Sequence, residues 1–183
     1  AVAWQTAAGQ PFACAPQLVG ERILVARRSG RLESWRVEDG VLERAVELGQ
    51  GVLAAWMTPT GPAGLTAARA WTWDGAAAGG EDLPEPCLGG GPGIAIGTLG
   101  KVMVRGADSW SEAGRLDPRP QPGTVIEALV WSGNAVVAHD RTLSVFGPAP
   151  FRLDAGSELL APLVWDGRLV AASLDGGLWI WAP

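Results

Sequence analysis

The feature that most constrains this chain is a pattern of short apolar runs joined by glycine-containing turns. In the closing stretch LAPLVWDGRLVAASLDGGLWIWAP (160–183), three such runs are separated by Asp166-Gly167 and by Asp175-Gly176-Gly177. Gly and Asp tolerate the positive φ that tight hairpins need, and Val, Leu, Ile and Trp suit the pleated surface of a strand. The stretch therefore predicts an antiparallel meander of three β-strands.

The same order of runs and turns occurs five times, in copies that begin near residues 11, 50, 85, 123 and 158. The first four copies are 39, 35, 38 and 35 residues long. The second has a longer first turn, and the third is the weakest because its first run is CLGGGPG (87–93). The fifth has 26 residues and lacks a fourth run, but the strand-like first ten residues, AVAWQTAAGQ, bring it to 36. We therefore expect residues 1–10 to supply the missing strand.

Four-stranded repeats of this length, arranged radially, form a β-propeller. We predict an all-β, five-bladed β-propeller of four-stranded antiparallel blades, in which the N-terminal strand completes the last blade. Residues 1–183 would form one domain, with blades at about 11–49, 50–84, 85–122, 123–157, and 158–183 plus 1–10. A linear array would leave an unpaired strand edge, which invites association. A fragment of a larger propeller, with further blades beyond either end, is the rival interpretation.

The copies resemble the repeats of the WD-repeat and PQQ-like propeller families. The shared signature is the ending AASLDGGLWIW (171–181), which SGRLESW (29–35) and DRTLSVF (140–146) repeat less perfectly. The resemblance covers essentially the whole chain and implies the propeller fold. It implies no particular ligand, because one fold serves many functions.

Charge and hydropathy argue against several classes of partner. The net charge of −5 gives no general attraction to nucleic acid, and acidic neighbours offset the arginines of the first copy. No apolar run is long enough to cross a membrane, and we find no signal-peptide pattern. Thirteen of the fourteen basic residues are arginine, a bias that indicates a GC-rich bacterial source. We expect a cytoplasmic, monomeric domain within a larger polypeptide.

Metal and cofactor sites have few residues to use. Cys14 and Cys87 are far apart in the sequence, and we expect two unpaired thiols, with one disulfide as the alternative. His139 is the only histidine, so a zinc site lacks ligands. No phosphate-binding glycine loop precedes a helix, and we expect no cofactor and no metal.

The ten tryptophans invite a carbohydrate-binding interpretation, but their spacing favours core packing. One repeat position is shared by Trp56, Trp131 and Trp165, and another by Trp35, Trp73 and Trp181. A large residue that recurs at one site of each blade is expected to pack one blade against the next. Trp110, in ADSWSEAG, is the tryptophan that we expect to be most exposed and available to a partner.

Cations recur where the third strand of each copy begins. The residues at this position are Arg31, Arg69, Lys101 and Arg141, with Gly177 in the last copy. In a closed propeller these turns would share one face and form a positive ring for an anionic ligand or an acidic peptide. The alternative is that turn-flanking charges keep hairpin ends solvated and guard against edge pairing.

Catalytic motifs are absent from the sequence. Glu85, Glu127 and Glu158 lie near blade starts, where paired carboxylates could serve a glycosidase, with Glu127 as the best single candidate. His139 lies beside Asp140 at a predicted hairpin turn, which favours a turn role over a catalytic triad. The sequence therefore predicts a non-catalytic module that binds a protein or peptide, or senses a ligand, through one propeller face. A carbohydrate-binding or carbohydrate-active propeller is the alternative.

Overall fold

The computed structural model of the chain describes residues 9–122 and 124–183. These residues form nineteen β-strands in five antiparallel sheets, and none of them lies in a helix. The chain divides into two compact units, residues 1–83 and 84–183. No helix in the described ranges could therefore span a bilayer.

Unit 1 contains two four-stranded sheets. The first sheet consists of β1 (Gln17–Val19), β2 (Arg22–Ala26), β3 (Arg31–Arg36) and β4 (Leu42–Glu47). The second sheet consists of β5 (Ala54–Thr58), β6 (Gly61–Leu65), β7 (Arg69–Trp73) and β8 (Ala78–Asp82). In both sheets the strands lie side by side in chain order.

Unit 2 contains three sheets, of which the last has three strands. The third sheet consists of β9 (Cys87–Gly91), β10 (Ile94–Gly97), β11 (Lys101–Arg105) and β12 (Trp110–Arg115). The fourth consists of β13 (Ile126–Trp131), β14 (Asn134–His139), β15 (Thr142–Phe146) and β16 (Phe151–Asp154). The fifth consists of β17 (Leu163–Trp165), β18 (Arg168–Ala172) and β19 (Leu178–Trp181).

Each sheet lies within one of the five predicted repeats, and the prediction of an all-β chain of four-stranded antiparallel sheets is confirmed. The fourth strand expected for the last sheet was placed at residues 1–10, of which 1–8 lie outside the described residues. Ring closure and the blade boundaries therefore stay predictions.

A two-residue turn joins the first and second strands of every sheet. In the turn Ser132-Gly133 the two φ values are 47° and 76°. In the turn Asp166-Gly167 they are 50° and 73°. Two successive positive φ values match the right-handed twist of the flanking strands, which explains Gly at the second position. The longer turn expected in the second copy was wrong, because Thr58 pairs with Gly61 across a two-residue turn.

Successive side chains of a strand point to opposite faces, and in each unit the facing sides of neighbouring sheets form the core. In unit 1, Leu24 and Leu32 of the first sheet pack with Trp71 and Trp73 of the second. In unit 2, one cluster lies between the third and fourth sheets and another between the fourth and fifth. Burial on both faces explains why the middle strands do not alternate between apolar and polar residues.

Strand β9, the weakest run in the sequence, is glycine-rich because β13 approaches it closely. A Cβ at Gly91 would lie 1.9 Å from the carbonyl oxygen of Ala128, and one at Gly89 would lie 3.3 Å from Cβ of Ile126. Neighbouring backbone thus occupies the space that side chains would fill. The glycines here are packing residues of a buried strand rather than a flexible turn.

We expect Gly91→Ala to destabilise the protein by about 1–3 kcal/mol, because the added methyl overlaps backbone that cannot move aside. Urea unfolding of the variant and the wild type measures the difference. Gly106→Ala is the control, since its Cβ would meet only the carbonyl oxygen of Ser109, at 3.3 Å. Equal losses in the two variants would contradict the steric explanation.

Candidate functional site

The fourth sheet shows how one sheet covers the next. Its face toward the fifth sheet contains Trp131, Val136, Leu143 and Val145, all at most 7% exposed, with Leu129 partly buried beside them. These side chains pack against the residues of the fifth sheet that face them, namely Leu169, Ala171, Trp179 and Trp181. The contact is apolar and involves strands β18 and β19 of the fifth sheet.

One polar bond accompanies this packing. The indole Nε1–H of Trp131 donates a hydrogen bond of 2.8 Å to the carbonyl oxygen of Gly167, in the first turn of the fifth sheet. A buried indole N–H needs such a partner. The bond therefore fixes the rim of one sheet against the hairpin of the next.

The opposite face of the fifth sheet is also apolar, like the buried face of the fourth sheet, but it is exposed. Leu163, Trp165, Leu178 and Ile180 are 51%, 65%, 64% and 51% exposed, with half-buried Val170 between them. In register, Leu163 lies opposite Val170, which lies opposite Ile180. We call these five residues the fifth-sheet face.

Each residue of the fifth-sheet face has a counterpart in the fourth sheet. Trp165 and Trp131 both directly precede the two-residue turn, and Leu163 and Leu129 lie two positions before them. The remaining counterparts, fixed by strand register, are Val136 for Val170, Leu143 for Leu178, and Val145 for Ile180. Positions that are buried under a sheet in one repeat are thus exposed in the next.

The expectation of core packing for the recurrent tryptophans was wrong for Trp165. Trp73 and Trp131 are buried, whereas Trp35, Trp56 and Trp181 are half-buried. Trp165, at the end of β17, is 65% exposed. Trp110, expected to be exposed, is half-buried at the start of β12.

The predicted cations lie at the starts of third strands, with one shift. Arg31, Arg69 and Lys101 open β3, β7 and β11, but Thr142 opens β15, so Arg141 lies one residue earlier, in the turn. Cross-strand pairing shows the shift, because Thr142 faces Asp154 as Arg31 faces Glu47. The prediction that Arg141 occupies the same position as the other three cations was therefore wrong by one residue.

Three of the four cations have carboxylate partners close by. Arg31 contacts Glu33 at 3.0 Å and Glu47 at 2.9 Å, Arg69 contacts Asp82 at 3.3 Å, and Lys101 contacts Glu112 at 3.4 Å and Glu85 at 3.8 Å. Pairing within the same unit reduces the charge that they offer to an anion. Recognition of an anionic partner by Arg31, Arg69, Lys101 and Arg141, with Trp110, stays a prediction.

The three glutamates that the sequence offers as catalytic candidates differ in burial and in their neighbours. Glu85 is half-buried beside Lys101, and Glu158 is exposed. Desolvation raises the pKa of Glu127, although much of this residue is exposed. Within the described ranges no three His, Cys, Asp or Glu side chains are grouped as metal ligands. A role for these carboxylates on carbohydrate stays a prediction.

His139 is a buried residue at the end of β14 rather than a solvated turn residue, so the expected turn role was wrong. It is 3% exposed, and its Nδ1 lies 3.7 Å from Oδ2 of Asp140, too far for a hydrogen bond. Burial lowers the pKa of His139 and outweighs the opposing effect of Asp140, while Arg152 lowers it further. The imidazole is therefore held neutral in the folded protein.

We expect this burial to make stability depend on pH. The imidazole of the unfolded chain titrates near pH ~6.5, and the folded pKa is lower, so protons bind the unfolded state preferentially as the pH falls. The free energy of unfolding of the wild type, relative to His139→Gln, should be constant above about pH 7.5 and should decrease below about pH 6.5. Urea unfolding across pH 5–8 measures it, and a difference independent of pH would refute the claim.

Comparison with solved structures places this geometry among β-propellers. BamB from Moraxella catarrhalis superposes with a TM-score of 0.67 at 14% identity, over 99% of this chain and 60% of that one. The Cps50 (Swd1) β-propeller domain of Myceliophteria thermophila gives 0.60 at 10% identity, over 97% and 68%. The computationally designed protein Ika8 gives 0.54 at 15% identity, over 95% and 72%.

No protein-family model matches the sequence, and no curated protein matches it either. The chain spans 60% of the length of the BamB chain, so the likeness concerns the fold over that part. The five antiparallel sheets of repeated design and this likeness to solved structures both indicate the β-propeller fold. The chain is a β-propeller repeat protein.

Proposed function

We propose that this chain is a non-catalytic protein-interaction module that binds its partner through the fifth-sheet face. The observation that carries the proposal is the exposure of Leu163, Trp165, Leu178 and Ile180 at positions whose counterparts in the fourth sheet are largely buried. Exposed contiguous apolar surface is unfavourable in water and is typical of protein-binding sites.

The chemistry of the face supports a β-sheet as the covering element. In the fourth sheet the five counterpart side chains, four of them identical, pack against a sheet that offers leucine, alanine and tryptophan. Trp165 also repeats Trp131, whose indole N–H donates to a turn carbonyl of the covering sheet. A partner sheet with an apolar face and a hairpin carbonyl at its rim would satisfy both requirements.

We expect the double variant Leu178→Asp/Ile180→Asp to fold with a free energy of unfolding within about 0.5 kcal/mol of the wild type, because both side chains are exposed. The counterpart variant Leu143→Asp should lose more than about 3 kcal/mol, since an aspartate there would be buried. Urea unfolding gives both values.

Partner binding is tested with the same variant. We expect the wild type to capture proteins that the double variant does not capture. Binding of these proteins to the wild type should protect residues 163–165 and 178–181 from hydrogen exchange. Leu99→Asp is the matched control, because Leu99 is also exposed, at 61%, but lies in the turn between β10 and β11. Equal capture by all three chains would reject the fifth-sheet face as the binding surface.

The repeat lengths support an alternative arrangement, the closed five-bladed ring. Residues 1–10 would then pair with β19, which has only β18 as a partner among the described strands. The fifth-sheet face would be covered within the ring, and binding would occur through loops on one propeller face. The described part of this segment is held by Arg27, whose Nη1 donates to the carbonyl oxygen of Gln10 at 2.8 Å.

Deletion of residues 1–8 separates the two arrangements and leaves the bond between Arg27 and Gln10 in place. In a closed ring the deletion removes a strand, so we expect a melting temperature lower by several degrees and self-association through the freed edge. In the open arrangement the melting temperature and the monomeric state should be unchanged. Calorimetry and light scattering distinguish these outcomes.

A further inference from the structure

A cavity of about 270 Å³ lies within unit 1, between strands β2, β3 and β4 of the first sheet and the loop that follows β7. Its lining residues are Arg22, Ser34, Glu43, Arg44, Gly75 and Ala76. It is separate from the fifth-sheet face, which belongs to unit 2. Its lining is mostly polar and contains two arginines, so its contents must be polar too.

The buried hydroxyl of Ser34 points to a ligand in this cavity. Ser34 is 1% exposed, and its Oγ has no hydrogen-bond partner among the described residues. In register it lies between Leu24 of β2 and Arg44 of β4. Buried polar groups in folded proteins are nearly always hydrogen-bonded, so an unpaired hydroxyl beside a cavity calls for a partner.

The carboxylates near the cavity are already occupied. Glu43 accepts from Arg22 at 3.0 Å through Oε2 and from Arg36 at 3.1 Å through Oε1. Asp74 accepts from the backbone N–H groups of Ala76 and Ala77 at 2.8 and 2.9 Å, and these bonds lower its pKa. Both oxygens of Glu43 and Oδ1 of Asp74 are therefore already engaged.

The two guanidinium groups retain donors. Arg44 donates through Nη1 to the carbonyl oxygen of Ala76, and Arg22 is bound to Glu43 through Nε. A guanidinium has five N–H donors in a planar fork, so each arginine keeps N–H groups beyond these bonds. Arg22, Arg44 and Glu43 are the charged residues of the lining, and Asp74 directly precedes the lining residue Gly75.

We infer that this cavity binds a small oxyanion, a phosphate or carboxylate group, through the guanidinium groups of Arg22 and Arg44 and the hydroxyl of Ser34. Guanidinium pairs with such anions through parallel N–H···O bonds, and a hydroxyl adds one more donor. An oxyanion supplies the acceptor that Ser34 lacks. Arginine cannot ligate a metal cation, and Glu43, the carboxylate of the lining, is already paired with Arg22 and Arg36.

Titration with inorganic phosphate and, separately, with acetate tests the inference at constant ionic strength. Backbone amide NMR shifts of residues 34, 44 and 75–76 should change saturably with at least one of the two anions. Ser34→Ala and Arg44→Gln should each weaken that binding at least tenfold. Ser34→Ala should fold as well as the wild type, because the hydroxyl it removes has no partner among the described residues.

Arg168→Gln is the matched control, since Arg168 is exposed and lies in the fifth sheet. It should bind as the wild type does. A linear, unsaturable response to both anions, or equal affinity in Ser34→Ala, Arg44→Gln and Arg168→Gln, would overturn the inference and leave the cavity to water. Neither result bears on the fifth-sheet face, so the two proposals can fail independently.

Discussion

The structure depends on the packing of one β-sheet against the face of the next. A sheet of this composition is apolar on both sides, so each face must be covered for the chain to gain from burial. Leu143 and Leu169 show the result in unit 2, where both are fully buried between the fourth and fifth sheets. The glycines of β9 serve this stacking, because they let the backbone of β13 approach closely.

The same constraint gives the fifth sheet its functional interest. One of its faces packs against the fourth sheet, while the other has apolar residues at the positions of a buried interface and is exposed. Trp131 and Trp165 show the contrast, because they occupy one repeat position and are 7% and 65% exposed. Proximity to a neighbouring sheet, rather than residue type, decides which of the two is core.

Charged residues follow a different rule from the apolar ones. The pair of Arg27 and Glu33, 2.8 Å apart, is 7% and 6% exposed, and it occupies positions that no other copy fills with an ion pair. Hydrogen bonds from Arg27, Trp35 and Arg31 lower the pKa of Glu33 even though burial opposes them. A buried pair must satisfy both charges locally, which makes it specific to one sheet. The repeated sequence pattern therefore determines strand order and apolar faces. Polar sites, such as the cavity at Ser34, occur in single copies of the repeat.

Strand order, the sheet of each described strand and most turns were determined by the sequence alone, whereas the first turn of the second copy was not. The Asp-Gly and Ser-Gly turns impose local backbone angles, and the apolar runs between them have no alternative to pairing with their neighbours. What only the tertiary structure decided is exposure, as Trp165, His139 and Ser34 show. Burial depends on whether another sheet, distant in the sequence, covers a residue. Similar residues recur at equivalent positions of the repeats whether or not a neighbouring sheet covers them. The periodicity of the sequence therefore does not distinguish an interior face from a binding face.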